Sequence, residues 1–199
     1  MKKLKIIAVI LITGVSLLII LIYTRGLKTR YDAAVARENA ASPEMPGKIG
    51  EAEMAHLPAI VKKYLTVTGF SGGDKIRNFR LTWDGALRSD AKSLWMSATM
   101  HQENFFHNYA RDFYLTAFMK GLPVSVWHSY HNQAATMQVK ILSLFPVVDL
   151  QGENLTTTET VTLFNDMCLM APGALIDKRI GWKELSPLRV EGTLANGSY

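Results

Sequence analysis

The hydrophobic pattern begins with a run of 18 residues, from Ile6 to Tyr23, that contains no charged side chain. As a helix, a run of this length rises about 27 Å, which is close to the hydrocarbon thickness of a bilayer. The run is longer than the apolar part of a cleaved signal peptide, and no small-residue cleavage site follows it. The pattern therefore predicts a transmembrane helix at about residues 5–23 that stays in the mature protein.

Basic residues flank this run on both sides, three before it and three after it, so the positive-inside rule gives little preference for either orientation. We expect a single-pass membrane protein whose amino terminus is inside and whose domain is extracytoplasmic. Residues 1–30 then form a membrane anchor with basic flanks. Residues 31–50, rich in Ala, Glu, Pro and Gly, read as a stalk or linker.

Beyond residue 69 the pattern changes from helical to alternating, with Phe79, Leu81 and Trp83 on one face of a predicted strand. Short polar turns separate most of the successive candidate strands, and this pattern predicts an antiparallel meander. The predicted strands cover residues 76–85, 94–102, 111–119, 124–131, 135–142, 180–185 and 188–194.

Two helices are predicted within a single α+β domain over 51–199, one at 58–65 and one late in the chain. For the late helix, Thr156 and Glu159 have the spacing of a capping box, and Pro172 ends or kinks it. The expected fold is a curled, half-barrel-like antiparallel meander packed on this late helix. The hairpin signal Asn196-Gly197 lies at the very end, so we expect the domain to be incomplete at its carboxyl terminus.

The outline is similar to the half-barrel lipoprotein carriers of the bacterial envelope. In such an arrangement four aromatic residues, Trp83, Trp95, Phe113 and Trp127, are candidates for lining an apolar ligand cleft. The alternative is that these side chains only fill the core.

The formal net charge of +5 does not indicate a nucleic-acid partner. Six of the 22 basic residues lie in residues 1–30, which hold no acidic residue, and the rest of the chain carries 16 basic and 17 acidic residues. The basic character therefore belongs to the flanks of the apolar run, and no basic stripe is present to bind phosphates.

Candidate chemistry is sparse. Cys168, the single cysteine, falls on the apolar side of the late helix, while Asn165 and Asp166 point away from it, so we interpret the thiol as structural. His101, His107 and His128 are the alternative catalytic candidates, together with a nearby carboxylate. His128 and His131 are three residues apart, which on a strand places them on opposite faces. We expect neither a metal site nor a cofactor, because the zinc, phosphate-loop and nucleophile motifs are missing.

Four segments together resemble an uncharacterised bacterial family of domain-of-unknown-function proteins. They are LPAIVKKYL (57–65), GLPVSVWHSY (121–130), ATMQVKILSLFPVVDLQGE (135–153) and FNDMCLMAPGALID (164–177). The resemblance implies an amino-terminal membrane segment, as in many members, and further β-strand sequence after the last residue. It implies no activity or substrate.

Two functions remain open from the sequence. The first is a membrane-tethered envelope domain that binds a lipid-like apolar ligand or a protein partner. The alternative is a hydrolase that depends on histidine and carboxylate side chains. An enzyme would need two or more of these polar groups to converge on one reacting atom.

Overall fold

The fold is α+β and centres on an open six-stranded antiparallel sheet. The computed structural model describes residues 2–88 and 90–194. The strands are β1 (Asn78–Leu87), β2 (Met96–Phe105), β3 (Ala110–Met119), β4 (Leu122–His131), β5 (Ala134–Ile141) and β6 (Phe145–Gln151). They pair in sequence order, so β1 and β6 form the two edges and the sheet does not close. The predicted meander is therefore confirmed.

Five helices and a separate hairpin complete the described fold. The helices are α1 (Lys2–Arg25), α2 (Leu27–Ala41), α3 (Glu51–Met54), α4 (Ala59–Val67) and α5 (Glu153–Met170), followed by a short 3-10 helix at Pro172–Ile176. Strands β7 (Gly181–Ser186) and β8 (Arg189–Thr193) form a separate two-stranded sheet within residues 2–88 and 90–194. The predicted turn at Asn196-Gly197 lies outside the described residues.

The apolar run of the sequence lies in α1. Over the part of the chain that the structure describes, no helix combines the length and the apolar character needed to cross a membrane. The transmembrane helix expected at about residues 5–23 is thus not supported by the structure.

Helix α2 packs on one face of the sheet, although residues 31–50 were expected to form a stalk. Tyr31, Ala34 and Val35 are buried against Phe105 and Tyr114 of the sheet. These α2 positions recur at helical spacing, which gives the helix an apolar stripe in an otherwise polar sequence. Most of the predicted stalk therefore belongs to the folded domain.

Helix α5 packs on the opposite face, and its beginning differs from the prediction. The helix begins at Glu153 after Gly152, so Thr156 lies inside it and does not cap it. The hydroxyl of Thr156 instead accepts a hydrogen bond from the backbone N–H of Ala135 on β5, 3.1 Å away. The Thr156 side chain, which the sequence predicts as a helix cap, therefore makes a tertiary contact instead.

The main core lies between α5, α4 and the sheet. Leu65, Leu163 and Met167 are fully buried in it, together with Tyr130 and Leu194. Because α5 contacts the sheet on one side and α4 with the β7–β8 hairpin on another, more of its circumference is buried than a single apolar stripe predicts.

Candidate functional site

An apolar groove lies between α4, α5 and the β7–β8 hairpin. Its volume is about 400 Å³, within the range of small-molecule sites. The lining is almost wholly apolar and comprises Ile60, Val61, Lys63, Tyr64, Val67, Phe164, Cys168, Leu175, Trp182, Val190 and Gly192. Among the described residues that line it, Lys63 is the only charged one.

Close packing of an aromatic pair forms one wall of this groove. The rings of Phe164 and Trp182 lie 6.0 Å apart between centroids, at an interplanar angle of 52°. A side chain at Gly192 would place its Cβ 2.3 Å from Cζ of Phe164, so glycine is required for this approach. Also in the lining, the hydroxyl of Tyr64 donates a 2.6 Å hydrogen bond to the backbone carbonyl of Cys168 and joins α4 to α5.

Cys168 lines the groove and lies on a partly buried side of α5. Burial raises the pKa of its thiol to about 11, so the thiol is neutral near pH 7. This environment supports the structural interpretation of the cysteine. The polar neighbours are placed differently from the prediction, because Asp166 points toward the sheet and not away from it.

Asp166 belongs to a buried polar network between α5 and the sheet. The guanidinium of Arg111 donates from Nε to Asp166 at 2.9 Å and from Nη1 to Glu159 at 2.9 Å. Gln102 and Asn104 of β2 also donate to Asp166, at 2.8 and 3.0 Å. The network supplies hydrogen-bond acceptors to the buried Arg111 guanidinium beneath the helix, and it holds α5 on the sheet.

Glu159 and His128 are both held toward their neutral forms beside Arg111. Burial raises the pKa of Glu159, although Arg111 acts in the opposite direction. Burial and the positive charge of Arg111 lower the pKa of His128 to about 4. Nε2 of His128 lies 3.5 Å from Oε1 of Glu159 but makes no hydrogen bond within the described residues.

A second buried polar chain lies under α2, on the other face of the sheet. His131 connects Glu38 and Asp112, with Nδ1 3.1 Å from Oε1 of Glu38 and Nε2 3.1 Å from Oδ1 of Asp112. Trp127 donates a hydrogen bond to Asp112 at 2.9 Å, and Asn108 donates one to Glu38 at 2.7 Å. Burial opposes protonation of His131, but the hydrogen bond and charge of Asp112 and the charge of Glu38 outweigh it and raise the pKa of His131.

Sequence reasoning missed Glu38 as a partner of His131, because residues 31–50 were assigned to the stalk. The available signal was the spacing of Tyr31, Ala34, Val35 and Glu38, which are all buried on one side of α2. That spacing identifies a packed helix, but it does not identify which strand the helix meets.

The three candidate catalytic histidines lie in three different places. His101 is on β2, with Nδ1 3.2 Å from the hydroxyl of Thr82 and its ring against Tyr114. His107 follows β2, with Nε2 3.7 Å from Oε2 of Glu38. His128 faces α5 on the other side of the sheet. Within the described residues, no group of three or more His, Cys, Asp or Glu side chains could hold a metal ion.

The four candidate aromatic residues also fail to share one cleft. Trp83 and Phe113 contact each other across the sheet, with centroids 6.0 Å apart. Trp127 is buried on the face of the sheet that α2 covers, and its indole N–H donates a hydrogen bond to Asp112. Trp95 lies just before β2 and is exposed beneath the guanidinium of Arg88, 4.6 Å from its ring centroid.

Comparison with known families identifies the chain. Residues 47–199 match a family of unknown function, DUF6544. The chain belongs to this family. The groove, the Arg111 network and the whole six-stranded sheet lie within the matched residues, whereas α1 and α2 precede them. No curated protein and no solved structure matches the chain.

Proposed function

We propose that this protein is a membrane-tethered envelope domain that binds an acyl chain in the groove between α4, α5 and the β7–β8 hairpin. The observation that carries the proposal is the groove itself, about 400 Å³ in volume and lined almost entirely by apolar side chains. Such a groove exposes surface that water solvates poorly, and a hydrocarbon chain would remove that surface from water.

The tether is proposed from the side chains of α1. The described large apolar residues from Ile6 to Ile19 are exposed, for example Ile10 at 65% and Ile12 at 66%. A helix with apolar side chains on all sides needs an apolar environment, and lipid supplies it. We place the amino terminus inside and the domain outside the cytoplasm, where envelope lipids can reach the groove.

The chemistry of the groove favours a lipid with an anionic or polar head. Of the lining residues that the structure describes, Lys63 alone is charged, and the others offer contacts for hydrocarbon. A lysine can keep its ammonium group at the mouth while its methylene stem covers apolar surface. A fatty acid would therefore place its carboxylate near Lys63 and its chain between Phe164 and Val67. An open sheet that curls like a half-barrel would be compatible with such a carrier.

Crosslinking in native membranes tests the groove. Membranes that contain the full chain are incubated with a diazirine-labelled fatty acid and irradiated, and the modified peptides are mapped by mass spectrometry. We expect crosslinks on α4, on α5 and on the β7–β8 hairpin.

Two matched substitutions sharpen this test. Val67 lines the groove and is 76% exposed, whereas Leu169 is 73% exposed and is not among the groove residues. Val67→Asp places a carboxylate beside the apolar chain and should reduce groove crosslinking about fivefold, the equivalent of roughly 1 kcal/mol. Leu169→Asp should leave it unchanged. Equal crosslinking in the two variants, or labelling confined to α1, would refute the groove as the lipid site.

Fractionation tests the tether separately. The full-length chain should stay in the membrane pellet after a carbonate wash, because an embedded helix resists alkaline extraction. Release of the intact chain by carbonate would show surface attachment only. A soluble product shortened by about 25 residues would show cleavage after the apolar run instead.

The hydrolase alternative has weaker support from the geometry. His101, His107 and His128 lie in separate environments, and the carboxylates nearest to His107 and His128 already bind other side chains. An enzyme requires two such groups within hydrogen-bond distance of one substrate atom.

A further inference from the structure

One end of the six-stranded sheet carries three of its five strand connections. In an antiparallel meander the connections alternate between the two ends, so the β1–β2, β3–β4 and β5–β6 connections lie together. We call this the tip end of the sheet. The β2–β3 and β4–β5 turns lie at the opposite end.

Large apolar side chains are exposed at all three connections of the tip end. Leu94 is 89% exposed, Trp95 62% and Phe118 66%. Together with their exposed neighbours they form a tip patch that consists of Leu94, Trp95, Phe118, Met119, Leu122 and Phe145. The opposite end differs, because its β4–β5 turn is the polar pair Asn132-Gln133 and Phe106 in the β2–β3 turn is buried.

The tip patch combines an apolar cleft with basic residues. A cleft of about 450 Å³ lies between the β1–β2 loop and the β3–β4 turn, and Trp95, Phe118 and Lys120 are among its lining residues. The adjoining β1–β2 loop contains two basic residues, Arg88 and Lys92, and one acidic residue, Asp90. Tryptophan beside lysine and arginine is the composition that proteins place at the interface between lipid and water.

The packing of α2 directs the tether toward this end. Along β4, the amino-terminal part of α2 contacts Trp127 through Arg30, 4.8 Å from the ring centroid, and the carboxyl-terminal part contacts His131 through Glu38. Helix α2 therefore runs in the same direction as β4, and its first residues point toward the end where β4 begins. That end is the tip end, and α1 joins α2 at Gly26, on the side of α2 that points toward it.

We propose that the tip patch rests in the headgroup layer of the membrane to which α1 attaches, so that the sheet stands on the bilayer with anionic lipids beneath it. This proposal depends on the tether proposed above. Exposed apolar side chains at the ends of three connections would insert into the interface, and the basic residues beside them would contact lipid phosphates. The tip patch and the apolar α1 then meet the same bilayer from one end of the domain.

Spin labels at the two ends of the sheet test the placement. In the full chain with Cys168→Ala, a single cysteine is introduced as Ala91→Cys in the β1–β2 loop or as Gln133→Cys at the opposite end. Each labelled protein is reconstituted into vesicles of phosphatidylcholine and phosphatidylglycerol. Collision rates with oxygen, which partitions into lipid, and with a polar nickel chelate report the depth of the label.

We expect the label at position 91 to collide preferentially with oxygen and the label at position 133 to collide preferentially with nickel. Trp95→Ser with Phe118→Ser should move the label at 91 toward water, and vesicles without phosphatidylglycerol should do so in part. Vesicle-bound protein in which both labels report water would overturn the proposal and leave the tether intact. Protein that does not float with the vesicles would instead refute the tether, and with it the basis of this placement.

Discussion

His128 and His131 lie three residues apart on β4 and face opposite sides of the sheet, as the strand period predicts. His128 lies under α5 beside Glu159, and His131 lies under α2 between Glu38 and Asp112. Their surroundings shift their pKa values in opposite directions, down for His128 and up for His131. The stability of the domain should therefore depend on pH on both sides of neutrality.

Above about pH 6.5 the domain should lose stability through His131. Because the folded-state pKa of His131 is raised above the ordinary value of 6.5, protonation favours the folded state, and this contribution is complete below pH 6.5. It disappears as the pH rises through the raised pKa. Denaturant unfolding of the full chain in detergent should give a free energy of unfolding that falls over this range.

The matched variant His131→Gln should remove that dependence. The groups that face His131 are Glu38, Asp112, Arg37 and, through Glu38, His107, so the comparison is between variant and parent at each pH. A parent whose unfolding free energy stays constant above pH 6.5 would contradict the stabilisation of protonated His131 by Asp112 and Glu38.

Below pH 6.5 the opposite sign applies to His128. Its folded-state pKa is about 4, so between pH 6.5 and 4 the unfolded state binds the proton more tightly and the free energy of unfolding falls as the pH is lowered. The raised pKa of Glu159 acts in the other direction within this range. For that reason the test is the difference in slope between the parent and His128→Gln, which both retain Glu159. Identical slopes would show that His128 is not buried in its neutral form.

Loss of Arg111 should be far more damaging than loss of an exposed cation. Arg111 bonds Glu159 and Asp166 with its side chain 8% exposed. Arg111→Met leaves these carboxylates without their cation and should lower the free energy of unfolding by about 3–5 kcal/mol. The control is Lys28→Met, because the Lys28–Asp32 pair is about half exposed and its loss should cost less than about 1 kcal/mol. Similar costs for the two variants would show that the Arg111 network does not hold α5.

The strands could be predicted because burial on one face produces alternation that survives in the sequence. Strand β6 was missed for a physical reason. It is an edge strand with Pro146 near its start, and its pairing with β5 is irregular beside Lys140. Edge position and irregular register both relax the alternation on which the prediction depends.

The buried polar networks could not be predicted from local pattern. Arg111 and Glu159 are 48 residues apart in sequence, and their contact depends on the register of β3 and on the rotation of α5. The burial of Cys168 could be predicted, since it needs only the helical spacing of its apolar neighbours. Asp166 was assigned to the outer side because one apolar stripe was assumed, whereas α5 is buried on two sides.

Replacement of Cys168 should affect packing and little else. Cys168→Ala removes one sulfur from a partly buried site and should cost about 1 kcal/mol of unfolding free energy. Since burial raises the thiol pKa to about 11, labelling of native Cys168 by a polar maleimide should be much slower than labelling of the exposed cysteine in the Cys168→Ala, Gln133→Cys protein. Equal labelling rates at neutral pH would contradict a buried, neutral thiol.

The β5–β6 turn should gain stability from a single glycine. Leu142 and Ser143 both adopt left-handed backbone conformations, with φ values of 54° and 59°. Left-handed residues at a hairpin turn suit the twist of the flanking strands, but residues with a Cβ are strained in this conformation. Ser143→Gly removes that strain at the second position and should raise the free energy of unfolding by up to about 1 kcal/mol.

The control for this change is a glycine in the β1–β2 loop. Ala91 lies in an exposed part of the same end of the sheet, and its φ is not positive. Ala91→Gly relieves no strain and adds freedom to the unfolded chain, so it should leave stability unchanged or lower it slightly. Denaturant unfolding should thus give a free energy of unfolding above that of the parent for Ser143→Gly, and one equal to or slightly below it for Ala91→Gly. A loss of stability in Ser143→Gly equal to that in Ala91→Gly would show that the left-handed turn is not strained.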